Sequence, residues 1–149
     1  NAFFATPPDG VCCSFTVFGL FFPDPPDLKV RADSAFDSDV ILHEHAHGLT
    51  SRLVGGAGNA DALFAVQSGA MGEGWSDWYA LDYLVGEGFA PDTGAVGDVT
   101  LDRYLGNGEP TIRSEGLDCP VVPVSAACPG GDDTGSQGGP PGRTSAPAL

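Results

Sequence analysis

"VILHEHAHGLTSRLVGG", residues 40–56, holds all three histidines of a 149-residue chain within five positions, at 43, 45 and 47, with Glu44 among them. The stretch reads as a helix from Asp37 or Ser38 to Leu53. A short polar residue stands where the N-cap belongs, Val40, Ile41, Ala46, Leu49 and Leu53 recur at near-helical spacing, and Gly55-Gly56 closes it. Each helical residue advances the direction of its side chain by about 100°, so His43 and His47 share one face, one turn apart. Two imidazoles so placed can reach one ion. Glu44 stands beside them, able to touch a water on that ion without ligating it, which is how H-E-x-x-H is read: two zinc ligands and a general base. His45 points to the opposite side of the same helix, where the plain reading is a surface or packed histidine. For the whole cluster, the plain reading is a polar helix face that happens to carry histidines.

Composition narrows the function. Six Lys and Arg stand against 20 Asp and Glu, a formal charge of −14, so a phosphate backbone would be repelled, nucleic acid is a poor candidate partner and none is expected. No run of 18 apolar residues is present and "NAFFATPPDG" lacks the basic and apolar regions of a signal peptide, so neither a membrane span nor a leader is expected. The single methionine is Met71, which reads as a processed or truncated piece. The length suits one domain. Cys12, Cys13, Cys119 and Cys128 are even in number and lean toward a secreted, oxidising setting. Cys119 and Cys128 could close the Pro-rich loop "CPVVPVSAAC"; Cys12 and Cys13 have no assignable partners.

Outward from the histidines, residues 1–10 read as an irregular lead ending in a turn. "SFTVFGLFF" (14–22) reads as one strand stopped by "PDPPD". It could offer an edge on which an extended substrate lies as an added strand, with an interior strand as the alternative. A second helix is expected from about Ala70 to Leu84, with Trp75, Trp78, Tyr79, Leu81 and Leu84 as its apolar face, and a shorter one over 98–105. Beyond about residue 118 the Pro/Gly-rich sequence offers too few apolar groups to offset the entropy of ordering, so 119–149 is expected to be a low-complexity, disordered tail.

A catalytic zinc site takes three protein ligands and leaves a position for water. The class whose third ligand is a histidine in H-E-x-x-H-x-x-G-x-x-H is excluded, because Thr50 and Leu53 occupy the Gly and His positions. A carboxylate is needed, and "AMGEGWSDWYALDYL" (70–84) offers Glu73. Asp77 follows one turn later on the same face, suited to accept the free N–H of a ligating imidazole and fix its tautomer. Glu87 competes with Glu73 but lies at the helix end without such a companion. A first-turn glutamate favoured by the helix dipole and a solvated aspartate are the plain readings of Glu73 and Asp77.

"HEHAHGLTSRLVGG" followed by "SGAMGEGWSDW" resembles the fungalysin family, extracellular zinc metallopeptidases with a thermolysin-like catalytic domain. The family pattern H-E-x-x-H-G-L-S-x-R-L-x-G-G, then G-G-M-G-E-G-W-x-D, is departed from only at Thr50 and Ala70. "NAFFATPPDG" resembles the family's segment before its active-site strand, and the match spans roughly residues 1–85. The resemblance implies an α+β, thermolysin-like zincin core fragment over residues 1–118, with an active-site helix, a second ligand-bearing helix and a short edge strand. It implies Zn²⁺ held by His43, His47 and Glu73, Glu44 as the base, and Asn1 and Ala2 hydrogen-bonding a peptide substrate. The expected function is that of a secreted zinc metalloendopeptidase acting on proteins or peptides. The alternative is a non-enzymatic zinc-binding fragment, because such a site also needs donors for the tetrahedral oxyanion and no histidine follows residue 47. Arg113 is a later cation that could substitute, a surface arginine being its plain reading. No D-x-[DN]-x-[DN]-G loop is present, so calcium stays open, as does oligomeric state.

Overall fold

In a computed structural model of the chain, residues 2–22 and 30–107 are described, together with Arg113, residues 116–119, Ala126 and Cys128. The elements run β1 (Ala2–Ala5), β2 (Phe15–Phe18), β3 (Leu20–Phe21), β4 (Ala32–Asp33), a 3₁₀ turn (Ser34–Phe36), α1 (Ser38–Gly55) and α2 (Val66–Gly86). This is the mixed α+β arrangement that the resemblance implied. Most of the expected tail, 119–149, lies outside the described residues, and so does Asn1. None of the described helices is long and apolar enough to cross a membrane.

The lead expected to be irregular forms β1, which pairs antiparallel with β2, Ala2 opposite Phe18 and Ala5 opposite Phe15. The strand expected over 14–22 is two strands. At Gly19 the chain leaves β1 and turns to Ser34: Ser34 N–H donates to the Gly19 carbonyl and Gly19 N–H to Ser34 Oγ, each at 3.1 Å. Beyond that point β3 pairs with β4, Leu20 opposite Asp33. A run of β-formers marks where strands are favoured, but the partner of each half is decided by distant residues.

α1 runs from Ser38 through the whole H-E-x-x-H stretch and ends where Gly56, at φ 67°, donates its N–H to the Arg52 carbonyl at 2.9 Å, a left-handed exit that glycine accepts without steric cost. Val40 and Ala46 are buried, whereas Leu49 and Leu53, expected on the apolar face, are exposed. α2 starts a turn earlier than expected, at Val66, and buries Gly72, Gly74, Ser76, Asp77, Ala80, Leu81 and Leu84. α1 and α2 pack on each other. Gly72 lies at that contact, where an added Cβ would sit 3.6 Å from Leu63 and 3.9 Å from the His47 ring.

The helix expected over 98–105 is absent. Val99 and Leu101 join Leu81 in a buried cluster against which Val85 and Leu117 pack, but the backbone there is turned. Asp102 adopts φ 67°, and its N–H is taken by Asp39 Oδ2 at 2.7 Å, while the Leu105 N–H goes to Asp37 Oδ2 at 3.1 Å. Two carboxylates at the start of α1 thus supply acceptors that helical carbonyls would otherwise provide. Asp37 stands at the N-cap position without capping α1, its side chain turned instead to residue 105.

Candidate metal centre

His43 and His47, one turn apart on α1, bring their Nε2 atoms to 2.9 Å, with the rings nearly perpendicular at 83°. Glu73 arrives from α2, Oε2 at 3.3 Å from His43 Nε2 and Oε1 at 3.3 Å from His47 Nε2. One ligand atom from each of the three residues lies within 4.8 Å of the others, the only such His/Cys/Asp/Glu group among the described residues. A tetrahedral centre with metal–ligand bonds of about 2.0–2.1 Å has ligand–ligand edges of about 3.3–3.4 Å. The 2.9 Å between the imidazole nitrogens is shorter than such an edge and the two 3.3 Å approaches are made by different Glu73 oxygens, but the three side chains converge within reach of one ion, and two imidazoles with a carboxylate are donor types that zinc takes.

Behind the three lies a charged buttress. Asp77, fully buried on α2, places Oδ1 2.8 Å from His43 Nδ1. Arg113 donates from Nε to Asp77 Oδ2 at 2.7 Å and from Nη2 to Asp77 Oδ1 at 3.2 Å and Glu73 Oε2 at 3.0 Å. It is 9% exposed. The plain readings of Arg113 as a surface arginine and of Asp77 as a solvated position are therefore both overturned. The sequence offered Arg113 only as a later cation that could substitute for an oxyanion donor; its burial against Asp77 and Glu73 was not legible because those partners are 36 and 40 residues away.

These contacts set the local electrostatics. Burial would push the His43 pKa down, but the Asp77 and Glu73 carboxylates outweigh it and raise it to about 9. Burial would raise Glu73, yet His43 and His47 hold it far below the ordinary carboxylate range. Burial likewise disfavours the Arg113 cation, and Asp77 and Glu73 reverse that and push its pKa up. Glu44 differs. Buried next to His43, it has its pKa raised chiefly by desolvation, with the two histidines pulling the other way.

A cavity of about 1010 Å³ is lined by His43, Glu44, His47, Glu73 and Arg113, and on another wall by residues 2–7 of β1 and the segment after it. Ala2 is therefore at the cavity. The strand bordering it is β1, with only Phe15 contributed by β2. His45 is exposed, its Nδ1 2.9 Å from the Ile41 carbonyl, and stands outside the ligand group. Glu87 caps the C-terminal end of α2 and is neither in that group nor on the cavity wall. Cys119 and Cys128 are disulfide-bonded, and Cys12 and Cys13 are exposed free thiols.

Residues 1–120 match the family model described as fungalysin metallopeptidase (M36). The chain is 49% identical over 80 residues, 54% of its length, to an extracellular metalloproteinase MEP of Leptosphaeria maculans. It is 40% identical over 114 residues, 76% of its length, to extracellular metalloproteinase 1 of Phaeosphaeria nodorum. A third relative, an extracellular metalloproteinase MEP of Fusarium vanettenii, is 41% identical over 107 residues, 72% of the chain. The matched regions are 12%, 17% and 16% of those relatives' own lengths. With four-fifths of its sequence accounted for by one family model, this chain belongs to the fungalysin family of metallopeptidases.

Proposed function

We propose that this chain carries the zinc-binding and proton-transfer residues of a secreted metalloendopeptidase that hydrolyses peptide bonds in proteins. The observation that carries the reading is the convergence of two imidazole nitrogens and a carboxylate, 2.9–3.3 Å apart, in the cavity that also contains Glu44. His43, His47 and Glu73 would hold the zinc. When bound, zinc supplies Lewis-acid polarisation of a carbonyl and acidification of water.

The chain's own residues do the rest. Glu44 accepts a proton from water and delivers it to the departing amine; burial, which raises its affinity for the proton, suits it to both steps. Asp77 Oδ1, 2.8 Å from His43 Nδ1, favours the tautomer that carries its proton on Nδ1, leaving the Nε2 lone pair directed at the ligand group. Arg113, bonded to both Glu73 and Asp77, holds those two carboxylates in place against the histidines. Residues 2–5 offer extended backbone beside Glu44, along which a peptide can lie as an added strand. The Cys119–Cys128 disulfide and the relatives' designation as extracellular support secretion.

A zinc-binding, non-hydrolytic role is the second reading, because the His43, His47 and Glu73 group could hold a metal whether or not a peptide is cleaved there. Cleavage of a quenched-fluorescent peptide by the zinc-loaded chain, compared with Glu44→Gln, separates the two. A rate that falls 10²- to 10⁴-fold in the variant, roughly what a general base contributes, supports hydrolysis. Equally low rates in both proteins leave only binding.

A further inference from the structure

β1, which lines the cavity, is fastened to α1 behind it, and two residues outside the ligand group take part in the fastening. The first is Gly48, next to His47. The tip of the Phe4 ring occupies the space where a Gly48 Cβ would stand, the nearest ring atoms 2.5–2.9 Å from that position. The same ring meets His45 edge-on, centroids 6.1 Å apart. Strand and helix therefore approach as closely as an aromatic ring on bare backbone allows.

The second is Arg52, one turn further along α1. Its Nη2 donates to the Pro7 carbonyl at 2.7 Å and pairs with Asp9 Oδ1 at 2.9 Å, while Nη1 donates to the Ala57 carbonyl at 3.4 Å. The Asp9 N–H closes the ring of contacts by donating to that same carbonyl at 2.8 Å. One guanidinium thus ties the segment leaving β1 to the turn leaving α1, a use of the planar fork that a lysine could not reproduce. The Asp9 side chain is 66% exposed, so its charge is screened and the bond to the Pro7 backbone matters more. Arg52 itself is not on the cavity wall, whereas residues 2–7 are.

We infer that Arg52 is a positioning residue for peptide hydrolysis: by holding Pro7 and Asp9 to the end of α1, it fixes the register of the β1 backbone against Glu44 and the histidine pair. It acts through β1 and touches neither substrate nor metal. Losing it lets residues 2–10 slide or lift from α1 while His43, His47 and Glu73 keep their places. Extended substrates then bind less well. The inference rests on the hydrolytic reading above, because a bound peptide is what β1 would align.

The test uses the full chain with Arg52→Ala, Arg52→Lys and Asp9→Asn. In Arg52→Ala, amide hydrogen exchange should speed up at Asp9 and across β1 by at least tenfold while α2 is unchanged, and zinc affinity should stay within twofold of wild type. For an extended peptide KM should rise about tenfold with kcat changed less than threefold, the signature of lost binding without lost chemistry. Arg52→Lys should recover only part of the KM, and Asp9→Asn should behave nearly as wild type. Gly48→Ala, which pushes the Phe4 ring off α1 from the other side, should reproduce the exchange and KM changes with Arg52 intact. Exchange accelerated equally in β1, α1 and α2 would make Arg52 a general stabiliser, and unchanged exchange and KM would remove its role altogether. Absence of cleavage by the wild-type chain would refute the hydrolytic reading instead, and the exchange arm would still decide whether Arg52 holds β1.

Discussion

Removing Asp77 should damage stability and metal affinity together, by amounts the contacts allow to be estimated. The side chain is fully buried and makes three polar contacts: 2.8 Å to His43 Nδ1, and 2.7 and 3.2 Å to the Arg113 guanidinium. Asp77→Ala leaves Arg113, itself 9% exposed, with Glu73 as its remaining carboxylate partner among the described residues. Breaking a buried pair from one side costs about 3–5 kcal/mol because a charge stays behind without its counterion. At 2–4 °C per kcal/mol for a chain of this size, the metal-free melting temperature should fall by about 6–20 °C. Loss of the imidazole's carboxylate partner should separately weaken zinc binding about 10- to 100-fold. The decisive version is a double-mutant cycle with Arg113→Met, read by thermal melts of metal-free protein and by zinc competition against a chelator. Because each single variant strands the other's charge, the double variant should be less destabilised than the two single effects added together, by about 1–3 kcal/mol. Additivity within about 0.5 kcal/mol would show that the two charges are not coupled and would refute the buttress.

Other consequences follow from the same geometry. His47→Ala should cut zinc affinity by orders of magnitude and His45→Ala should leave it within a fewfold, since His47 faces Glu73 and His45 does not; a steep loss for His45 would reverse the assignment of helix faces. The pH dependence of metal-free stability has a definite sign. His43 is raised from 6.5 to about 9 in the folded chain, so its contribution is complete below pH 6.5 and is lost as pH rises to 9. Glu73 is depressed below 4.5, so its contribution is present above that value and is lost as pH falls below it. Denaturant midpoints should therefore peak between these limits and decline from pH 6.5 to 9. Zinc should reverse the alkaline decline, because binding needs the deprotonated imidazole. Cys119→Ser, which opens a loop of nine-residue separation, should cost about 2–3 kcal/mol in urea melts run without reductant. Wild type and variant should converge when the thiols are reduced.

How much of this was legible beforehand differs from residue to residue. The helix over the histidines, the common face of His43 and His47, and the opposite placement of His45 follow from 100° per residue, and α1 has that form. The second helix was visible from its Trp, Tyr and Leu positions, though its first turn, from Val66, was not, because Ala65 provides no capping side chain to announce it. β1 was hidden by the two prolines that follow it, and the break at Gly19 by a bond to Ser34, 15 residues away. The turned segment at 98–105 was read as helix because its apolar spacing is real. That spacing serves burial of Val99, Leu101 and Leu105, while Asp37 and Asp39 take the backbone donors.

By itself the sequence determined the local chemistry: which residues can give up a lone pair to a metal, which acid stands between them, and which helix holds them at one spacing. Such periodicity is a property of neighbours in the chain, so it survives without knowledge of the rest. Only the tertiary structure decided that Glu73 meets both histidines, that Asp77 and Arg113 are buried behind them, and that β1 is tied to α1 through Phe4 and Arg52. Those contacts join residues separated by tens of positions. Their geometry is fixed by packing and by the need to satisfy every buried charge, neither of which is written in any short stretch of the chain.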